Sequence, residues 1–338
     1  MSKVQALAAH QQGGAFEPFE YDLGDLGPEE VEIAVETCGI CHSDVAMWRN
    51  EWGMSEYPVV PGHEIVGRIV KAGRAVKRVK EGDRVGLGWF SESCLHCHPC
   101  LSGDHNMCVS AAQTIVGRFG GWADKVRCHW VWATPIPDGI DAKKAGPLFC
   151  GGITVFNPIV QANVRPTAKV GVIGIGGLGH LALQFLSAWG CEVTAFTSSA
   201  GEKGDEAKAM GAHHVVDSKN ADAIREKSGY DFILSTVTAS LDWDAYVGAL
   251  GPRGRLHLVG VPEKPLEVQL FPMITSQAGI SGSPLGSPAT TADMLAFCER
   301  HGIAPMTDEF KMSKVNDALA HLEAGRARYR VVLEQDLA

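Results

Sequence analysis

Residues 170–180 read VGVIGIGGLGH, and this stretch decides the fold. Its first four residues are apolar or small, as in a buried strand, and Gly174, Gly176 and Gly179 then fit the pattern G-x-G-x-x-G. A strand, a glycine turn and a helix in that order predict a site where the backbone approaches a pyrophosphate and a helix N-terminus faces the anion. The helix is predicted from apolar residues at helical spacing, namely Leu178, Leu181, Ala182, Phe185, Leu186 and Trp189.

The alternation of strand and helix continues beyond this stretch, from about residue 152 to residue 286. Further strands are predicted at residues 192–196, 214–216, 230–234, 255–259 and 278–283, and a helix at residues 202–210. This order predicts an α/β unit with a doubly wound parallel sheet of six strands.

The N-terminal part of the chain is predicted to be rich in β-strands. Apolar and polar residues alternate over residues 31–37, and further strand-like runs cover residues 68–70 and 84–87. Residues 289–338 contain helical segments and a final strand at 329–333, and they are too few to fold alone. We therefore expect a catalytic domain of residues 1–151 and 287–338, and a dinucleotide-binding domain of residues 152–286.

Composition narrows the class of protein. The chain has 338 residues, 45% of them hydrophobic, with a net charge of −9, which argues against a nucleic-acid or membrane-surface partner. We find no signal peptide pattern at the N-terminus and no apolar run of membrane-spanning length. Ten cysteines in such a chain predict a reducing cytoplasm and cysteine clusters that bind metal rather than form disulfides.

Four cysteines follow each other with the spacing C-x2-C-x2-C-x7-C. Four thiolates so close in sequence can enclose one tetrahedral ion and leave no open position, which predicts a structural zinc site. The alternatives are unrelated thiols or a zinc-ribbon module that binds nucleic acid, but no basic run surrounds the cluster. The predicted ligands are Cys94, Cys97, Cys100 and Cys108.

The end of the predicted strand 192–196 indicates which dinucleotide binds. Proteins of this fold that prefer NAD carry an acidic residue about 20 residues after the glycines, on the ribose 2′-hydroxyl. Here the chain reads Thr197-Ser198-Ser199, and Lys203 follows closely enough to supply positive charge. We therefore predict NADP(H), with the nearby Glu202 as the reason to keep NAD as the alternative.

A second metal site is suggested by Cys41, His63 and Cys150, which lie far apart in the sequence. Two thiolates and one imidazole leave a fourth position for water or substrate, the pattern of a catalytic zinc. Each residue alone is weak evidence, because a single cysteine such as Cys150 is more often a small buried side chain.

Several motifs together resemble the zinc-dependent medium-chain alcohol dehydrogenases. The run G-H-E-x2-G-x5-G-x2-V at residues 62–76 matches their zinc signature, accompanied by CHSD at 41–44, CGGIT at 150–154, the four-cysteine lobe and the glycine turn. The sequence is most similar to the cinnamyl alcohol dehydrogenase branch and to its bacterial NADPH-dependent aldehyde reductases. The resemblance implies a GroES-like β-rich catalytic domain beside a Rossmann domain.

The resemblance also implies roles for the site residues. Cys41, His63 and Cys150 would hold the catalytic zinc, Ser43 would pass a proton to the product oxygen, and Asp44 would orient the imidazole. The implied reaction is reversible reduction of aromatic and medium-chain aldehydes to primary alcohols by hydride transfer from NADPH. Two alternatives remain: an NAD-dependent alcohol or polyol dehydrogenase, and a zinc-stabilised dinucleotide-binding protein without activity.

Further positions take their expected roles from the resemblance alone. Glu64 would approach the metal when the fourth position is empty, His42 and Arg330 would meet the pyrophosphate, and Thr154 would lie near the nicotinamide. The resemblance also implies a homodimer formed through the edge strand at residues 278–283. The residues expected to line the glycine turn around the cofactor are Gly174, Gly176, Gly177, Leu178 and Gly179.

The chain departs from many relatives at one position and gives weak indications of its substrate. Ala46 stands where those relatives carry a histidine at the outer end of the proton relay. An apolar pocket for aromatic or medium-chain aldehydes could be formed by side chains that flank the zinc motifs. These are Trp48, Trp52, Met54, Trp89, Phe90 and Phe119.

Overall fold

The computed structural model describes residues 3–337, and the chain divides into two compact units. The first unit runs to Ile153 and resumes at Gly286, and the second is Thr154–Leu285. Among the described residues, no helix combines the length and the apolar character that crossing a membrane requires.

The first unit is built mainly from β-strands, as the alternating pattern predicts. Its α-helices before residue 150 are α1 (His42–Trp48) and α2 (His98–Leu101), and one-turn 3-10 helices cover His105–Met107, Trp130–Trp132 and Gly146–Phe149. Its strands up to residue 135 are β1 (Lys3–Ala9), β2 (Phe16–Asp22), β3 (Glu30–Ile40), β4 (Ile65–Ala72), β5 (Arg84–Leu87), β6 (Phe90–Glu92), β7 (Ala112–Gln113), β8 (Lys125–His129) and β9 (Thr134–Pro135).

The second unit contains the predicted doubly wound sheet. The helix α3 (Gly151–Gln161) comes first. The elements after it are β10 (Lys169–Ile173), α4 (Gly179–Trp189), β11 (Glu192–Thr197), α5 (Ala200–Ala209), β12 (His214–Asp217), α6 (Ala221–Glu226), β13 (Tyr230–Ser235), α7 (Trp243–Gly248), β14 (Leu250–Leu258), α8 (Leu270–Ser276) and β15 (Gly279–Gly282).

Within residues 3–337 the six strands of this sheet are all parallel and follow the order β12-β11-β10-β13-β14-β15. The order reverses beside β10, so a crevice opens at the carboxyl ends of β10 and β13. This confirms the predicted fold class. The strand predicted at 255–259 begins earlier, at Leu250, because Leu250 pairs with Tyr230 before a register shift ahead of Phe232.

The helix after the glycine turn packs as the periodicity predicts. Leu181, Ala182, Phe185 and Leu186 are fully buried on α4, while Trp189 at its end is half-buried. Burying each large apolar side chain contributes roughly 1.5–3 kcal/mol, so this face anchors the helix and its N-terminal turn on the sheet.

The C-terminal residues complete the sheet of the first unit. They form α9 (Pro288–His301), β16 (Thr307–Lys311), the 3-10 helix Met312–Lys314, α10 (Val315–Glu323) and β17 (Arg330–Glu334). Strand β17 pairs antiparallel with β3, which also pairs with β4 and β8. This pairing places the start of β17 beside the end of β3, where the candidate metal ligands begin.

Candidate active site and cofactor site

Three loops of the first unit bring the candidate catalytic ligands together. Cys41 lies between β3 and α1, His63 precedes β4, and Cys150 follows the 3-10 helix Gly146–Phe149. The Sγ atoms of Cys41 and Cys150 are 3.7 Å apart, and His63 Nε2 is 3.2 Å from the Cys150 Sγ. With a carboxylate oxygen of Glu64, these ligand atoms all lie within 4.8 Å of one another.

The spacing of these atoms fits a tetrahedral zinc ion. Zinc binds sulfur at about 2.3 Å and imidazole nitrogen at about 2.0–2.1 Å, so the edges of the tetrahedron are about 3.8 Å between two sulfurs and about 3.6 Å between sulfur and nitrogen. The Cys41–Cys150 distance of 3.7 Å matches the first edge, and the His63–Cys150 distance of 3.2 Å is slightly short of the second. Two sulfurs and one imidazole therefore form a donor set for zinc with one position left open.

Asp44 fixes the geometry of this donor set. Its Oδ1 lies 2.8 Å from His63 Nδ1 and accepts the Gly62 N–H at 2.8 Å, while its Oδ2 accepts the Cys41 N–H at 2.8 Å. Asp44 and His63 are fully buried. Because Asp44 engages Nδ1, the lone pair of Nε2 points toward the two sulfurs.

The electrostatics of the cluster favour charge on Cys41 and His63 and oppose it on Cys150. A hydrogen bond with Cys150 is the main reason that the pKa of Cys41 lies well below its usual value. The same hydrogen bond and burial raise the pKa of Cys150 well above its usual value. Burial opposes charge on His63, yet Asp44 and Cys41 outweigh it and raise the pKa of the imidazole well above its usual range. A divalent cation bound here would replace these protons.

Glu64 and Arg330 form a buried ion pair behind the ligands. Arg330 hydrogen-bonds Glu64 Oε1 and lies 3.4 Å from the Ile40 carbonyl oxygen. Within the described residues Glu64 Oε2 has no hydrogen-bond partner, and a Cβ on Gly39 would lie 2.0 Å from it. Burial raises the pKa of Glu64 to about 7, although Arg330 acts in the opposite direction. The free oxygen and the glycine beside it suit the predicted role of an exchanging ligand, which stays a prediction.

The first turn of α1 carries the predicted proton donor. Ser43 Oγ is 4.0 Å from Cys41 Sγ, so its hydroxyl lies beside the ligand set. His42 is exposed, with Nε2 at 3.7 Å from a Glu51 oxygen. Ala46 is completely buried on the same helix, and its methyl group offers no path for a proton.

Two tryptophans adjoin the metal ligands. The ring of Trp89 packs edge-on against His63, with 5.1 Å between centroids, and Trp52 packs edge-on against Trp89 at 5.9 Å. For the other side chains of the predicted lining the structure gives the local placement, and their contact with a substrate stays a prediction. Trp48, Phe90 and Phe119 pack against the hydrophobic core of the first unit, and Met54 is exposed.

The four-cysteine lobe forms the second candidate metal cluster of the described chain. Cys94, Cys97, Cys100 and Cys108 place their Sγ atoms within 4.8 Å of one another. Backbone N–H groups of His96 and Cys97 lower the pKa of Cys94 to about 6, while burial raises that of Cys100 to about 12. Four sulfurs at this spacing fit a closed tetrahedral zinc site, as predicted from the sequence.

The glycine turn of the second unit borders a cavity of about 540 Å³. Gly174 has φ of +87°, a conformation that favours glycine, and a Cβ on Gly179 would lie 1.8 Å from the Gly174 oxygen. No atom of residues 3–337 lies within 4 Å of a Cβ position on Gly176, so the backbone there faces open space. The turn thus leaves room for a pyrophosphate at the N-terminus of α4, where residues from Gly174 to Leu178 line the cavity.

The predicted 2′-phosphate residues line the same cavity. Thr197, Ser198, Ser199 and Lys203 are all part of its wall, whereas Glu202 is not. Among the described lining residues there is no carboxylate that would repel a phosphate. Sequence reasoning missed six lining residues from the segments after β12 and β13: Ser218, Lys219, Thr236, Val237, Ala239 and Leu241.

For three positions expected to contact the cofactor, the structure gives only the local placement, and one of them is His42, exposed on α1. Thr154 lies in the first turns of α3 and is half-buried. Arg330 is held by Glu64 in the first unit. Their contacts with the nicotinamide and the pyrophosphate stay predictions.

Comparison with known proteins agrees with this arrangement. Residues 27–138 match the family model for the alcohol dehydrogenase GroES-like domain, and residues 177–300 match the model for zinc-binding dehydrogenases. The chain is 56% identical to the aldehyde reductase AdhA of Synechocystis over 331 residues, which cover 98% of both proteins.

Solved structures show the same similarity. A cinnamyl alcohol dehydrogenase from Sorghum bicolor superposes with a TM-score of 0.93 at 33% identity, covering 100% of this chain and 99% of that one. A Helicobacter pylori cinnamyl alcohol dehydrogenase, solved in complex with NADP(H), gives a TM-score of 0.88 at 30% identity over 98% of each chain. The shared sequence, fold and donor sets show that the chain belongs to the zinc-dependent medium-chain alcohol dehydrogenases.

Proposed function

We propose that this alcohol dehydrogenase reduces aldehydes to primary alcohols with NADPH, reversibly, in the cytoplasm. The observation that carries the proposal is the cofactor cavity, where the described wall combines Thr197, Ser198, Ser199 and Lys203 without a carboxylate. The similar proteins named aldehyde reductase and cinnamyl alcohol dehydrogenase support the same substrate class. Ten free cysteines suit a reducing compartment.

The ligand set determines how the carbonyl is activated. When bound, zinc supplies a Lewis acid for the carbonyl oxygen, and NADPH supplies the hydride for the carbonyl carbon. Cys41, His63 and Cys150 would hold the metal and leave one position for the substrate. Asp44 holds the imidazole so that its Nε2 faces the position of the metal.

The product oxygen must also gain a proton. Ser43 is the nearest predicted donor, since its hydroxyl lies 4.0 Å from the Cys41 sulfur. Ala46 is buried and cannot relay a proton, so we propose that Ser43 is recharged through water or the cofactor ribose.

The aromatic pair beside the ligands indicates the substrate. Trp89 contacts His63, and Trp52 extends this surface while remaining 45% exposed. An apolar surface of two indole rings beside the metal ligands favours aromatic and medium-chain aldehydes over polyols, because a polyol would leave hydroxyl groups against these rings.

The edge of the parallel sheet supports a homodimer. Strand β15 is the last strand of that sheet, and α8 before it exposes Leu270, Phe271 and Ile274 at 65%, 75% and 70%. Exposed apolar side chains close in sequence to an edge strand are typical of a protein–protein interface. We propose that the partner is a second copy of this chain, which would bind through the same surface.

Steady-state kinetics test the proposal directly. NADPH oxidation is followed with a panel of aromatic and medium-chain aldehydes and compared with NADH. We expect strong turnover with NADPH and weak turnover with NADH. A preference for NADH would keep the enzyme class and reject the cofactor assignment.

The metal assignment has its own test. Cys150→Ser should abolish turnover while NADPH binding persists, and Cys191→Ser, another mostly buried thiol outside both clusters, should stay active. Full activity of Cys150→Ser would reject the proposed catalytic ligand.

A further inference from the structure

We propose that Lys219, in the turn after β12, is a second residue that selects for the 2′-phosphate of NADPH, in addition to Lys203 on α5. This inference rests on the proposed NADPH dependence and adds a residue that the glycine motif and its strand end do not reveal.

The sheet brings the two strand ends together. Strands β11 and β12 are parallel neighbours, with Thr197 opposite Asp217 in the register. The ladder extends one residue further, because the Ser218 N–H donates to the Thr197 carbonyl at 3.1 Å. Lys219 therefore leaves the backbone directly after this bond, about one strand spacing (~4.8 Å) from the Ser198-Ser199 turn.

The turn that carries Lys219 is held by its own hydrogen bonds. Asp217 Oδ1 accepts the Lys219 N–H at 2.9 Å, and the Asp217 carbonyl accepts the Asn220 N–H at 3.1 Å. The Asn220 side chain then accepts the Ala223 N–H at 3.0 Å and caps α6. These bonds fix the starting point of the Lys219 side chain at the rim of the cavity and direct the Asp217 carboxylate to the backbone.

The charges around the cavity favour an anion at this end. Among the described lining residues the ionisable side chains are Lys203 and Lys219, and both are cationic. Lys203 Nζ lies 3.4 Å from the Ile175 carbonyl oxygen on the glycine turn, whereas Lys219 is exposed in the turn after β12. A phosphate on the adenosine ribose would meet lysines from two directions and the hydroxyl groups of Ser198 and Ser199.

Binding of nucleotide fragments tests this without measuring turnover. Calorimetry would compare adenosine 2′,5′-bisphosphate with AMP for the wild type, Lys219→Gln and Lys208→Gln. Lys208→Gln is the matched control, because this substitution removes the same charge at the far end of α5, outside the cavity wall. Lys219→Gln should weaken the bisphosphate about fivefold and leave AMP unchanged. The difference should shrink near 1 M salt, where screening extends over only about 3 Å.

The outcomes separate the two proposals. If the wild type prefers the bisphosphate and Lys219→Gln binds it as tightly as Lys208→Gln does, Lys219 is a solvated surface residue and this inference is overturned while the NADPH proposal stands. If the wild type binds both fragments equally, the NADPH preference itself is overturned and Lys219 has no phosphate to select.

Discussion

Asp44 and His63 form the central polar contact of the catalytic cluster, with 2.8 Å between Oδ1 and Nδ1 and both side chains fully buried. The other carboxylate oxygen accepts the backbone N–H of Cys41. One side chain thus sets the direction of the imidazole and the position of the thiol, two ligands that are separated by 22 residues in the chain. Contacts of this kind behind a metal ligand orient the ligand, and their loss usually lowers metal affinity.

We therefore expect Asp44→Asn to weaken zinc binding at the catalytic site about 10- to 100-fold. The amide of Asn replaces one acceptor oxygen with an NH2 donor. This donor would then face either the Cys41 N–H or the His63 Nδ1, where an acceptor now lies. Competition with a chromogenic chelator would measure the affinity. Asp138→Asn, on an exposed loop of the same unit, is the control and should keep both zinc ions. Unchanged affinity in Asp44→Asn would mean that the imidazole is oriented by packing alone.

Sequence patterns that lie within a single helix or strand were sufficient to predict much of this fold. The alternation at residues 31–37 and the apolar face of the helix after Gly179 each reflect one element, so the sequence shows them directly. Element ends were less certain, because the start of β14 depends on pairing between Leu250 and Tyr230 rather than on its own pattern.

The site was predictable only where motifs are local or family-specific. The four-cysteine lobe follows from spacing, and the glycine turn follows from its flanking elements. Arg330 and Glu64 form an ion pair although they are 266 residues apart, and a periodic sequence pattern cannot predict such a contact. The contact of Trp89 with His63 and the presence of Lys219 in the same cavity wall as Ser199 likewise depend on how strands are arranged, which only the structure shows.

Two alanine substitutions in the glycine turn should have different effects, one on the stability of the protein and the other on cofactor binding. A Cβ on Gly179 would lie 1.8 Å from the Gly174 oxygen, whereas Gly176 faces open space. Gly179→Ala should destabilise the protein by roughly 1–3 kcal/mol, because the backbone must shift. Gly176→Ala should keep the stability of the cofactor-free protein and weaken NADPH binding at least about tenfold, because the methyl group takes the space of the pyrophosphate.

Thermal unfolding and fluorescence titration with NADPH would measure both effects on the same samples. The two variants serve as controls for each other, since each adds one methyl group to the same turn. Equal losses of stability in both, or normal NADPH binding by Gly176→Ala, would contradict this account of the turn.

The four-cysteine lobe should contribute to stability through its metal. Cys100→Ser removes one of four ligands, and we expect it to lower the zinc content from two ions to one and the Tm by at least about 5 °C. Cys128→Ser is the control, because Cys128 is equally buried but belongs to neither cluster. Metal analysis with thermal unfolding gives both values. A Cys100→Ser variant that keeps two zinc ions and the wild-type Tm would show that the lobe folds without its fourth ligand.

His257 should make stability depend on pH in the acidic range. It is buried on β14 with its two ring nitrogens 2.9 Å and 3.0 Å from the hydroxyl oxygens of Ser281 and Ser283 on the edge strand and just beyond it. Burial, assisted by the charge of Arg255, lowers the pKa of His257 to about 4 from an unfolded value of 6.5. The folded protein therefore keeps the ring neutral while the unfolded chain binds a proton between these values.

The direction in which stability changes with pH follows from the number of protons that the folded and unfolded states bind. Because the unfolded state binds more protons between pH 6.5 and about 4, the contribution of His257 is fully present above pH 6.5 and is lost as the pH falls toward 4, on the order of 3 kcal/mol in total. His257→Gln, which keeps a polar side chain between the serines, lacks this loss. The stability advantage of the wild type over His257→Gln should thus shrink steadily from pH 7 to pH 4 in urea unfolding. His10→Gln, at an exposed position, should show the same pH profile as the wild type. A constant difference between wild type and His257→Gln over this range would show that the buried ring does not titrate with folding.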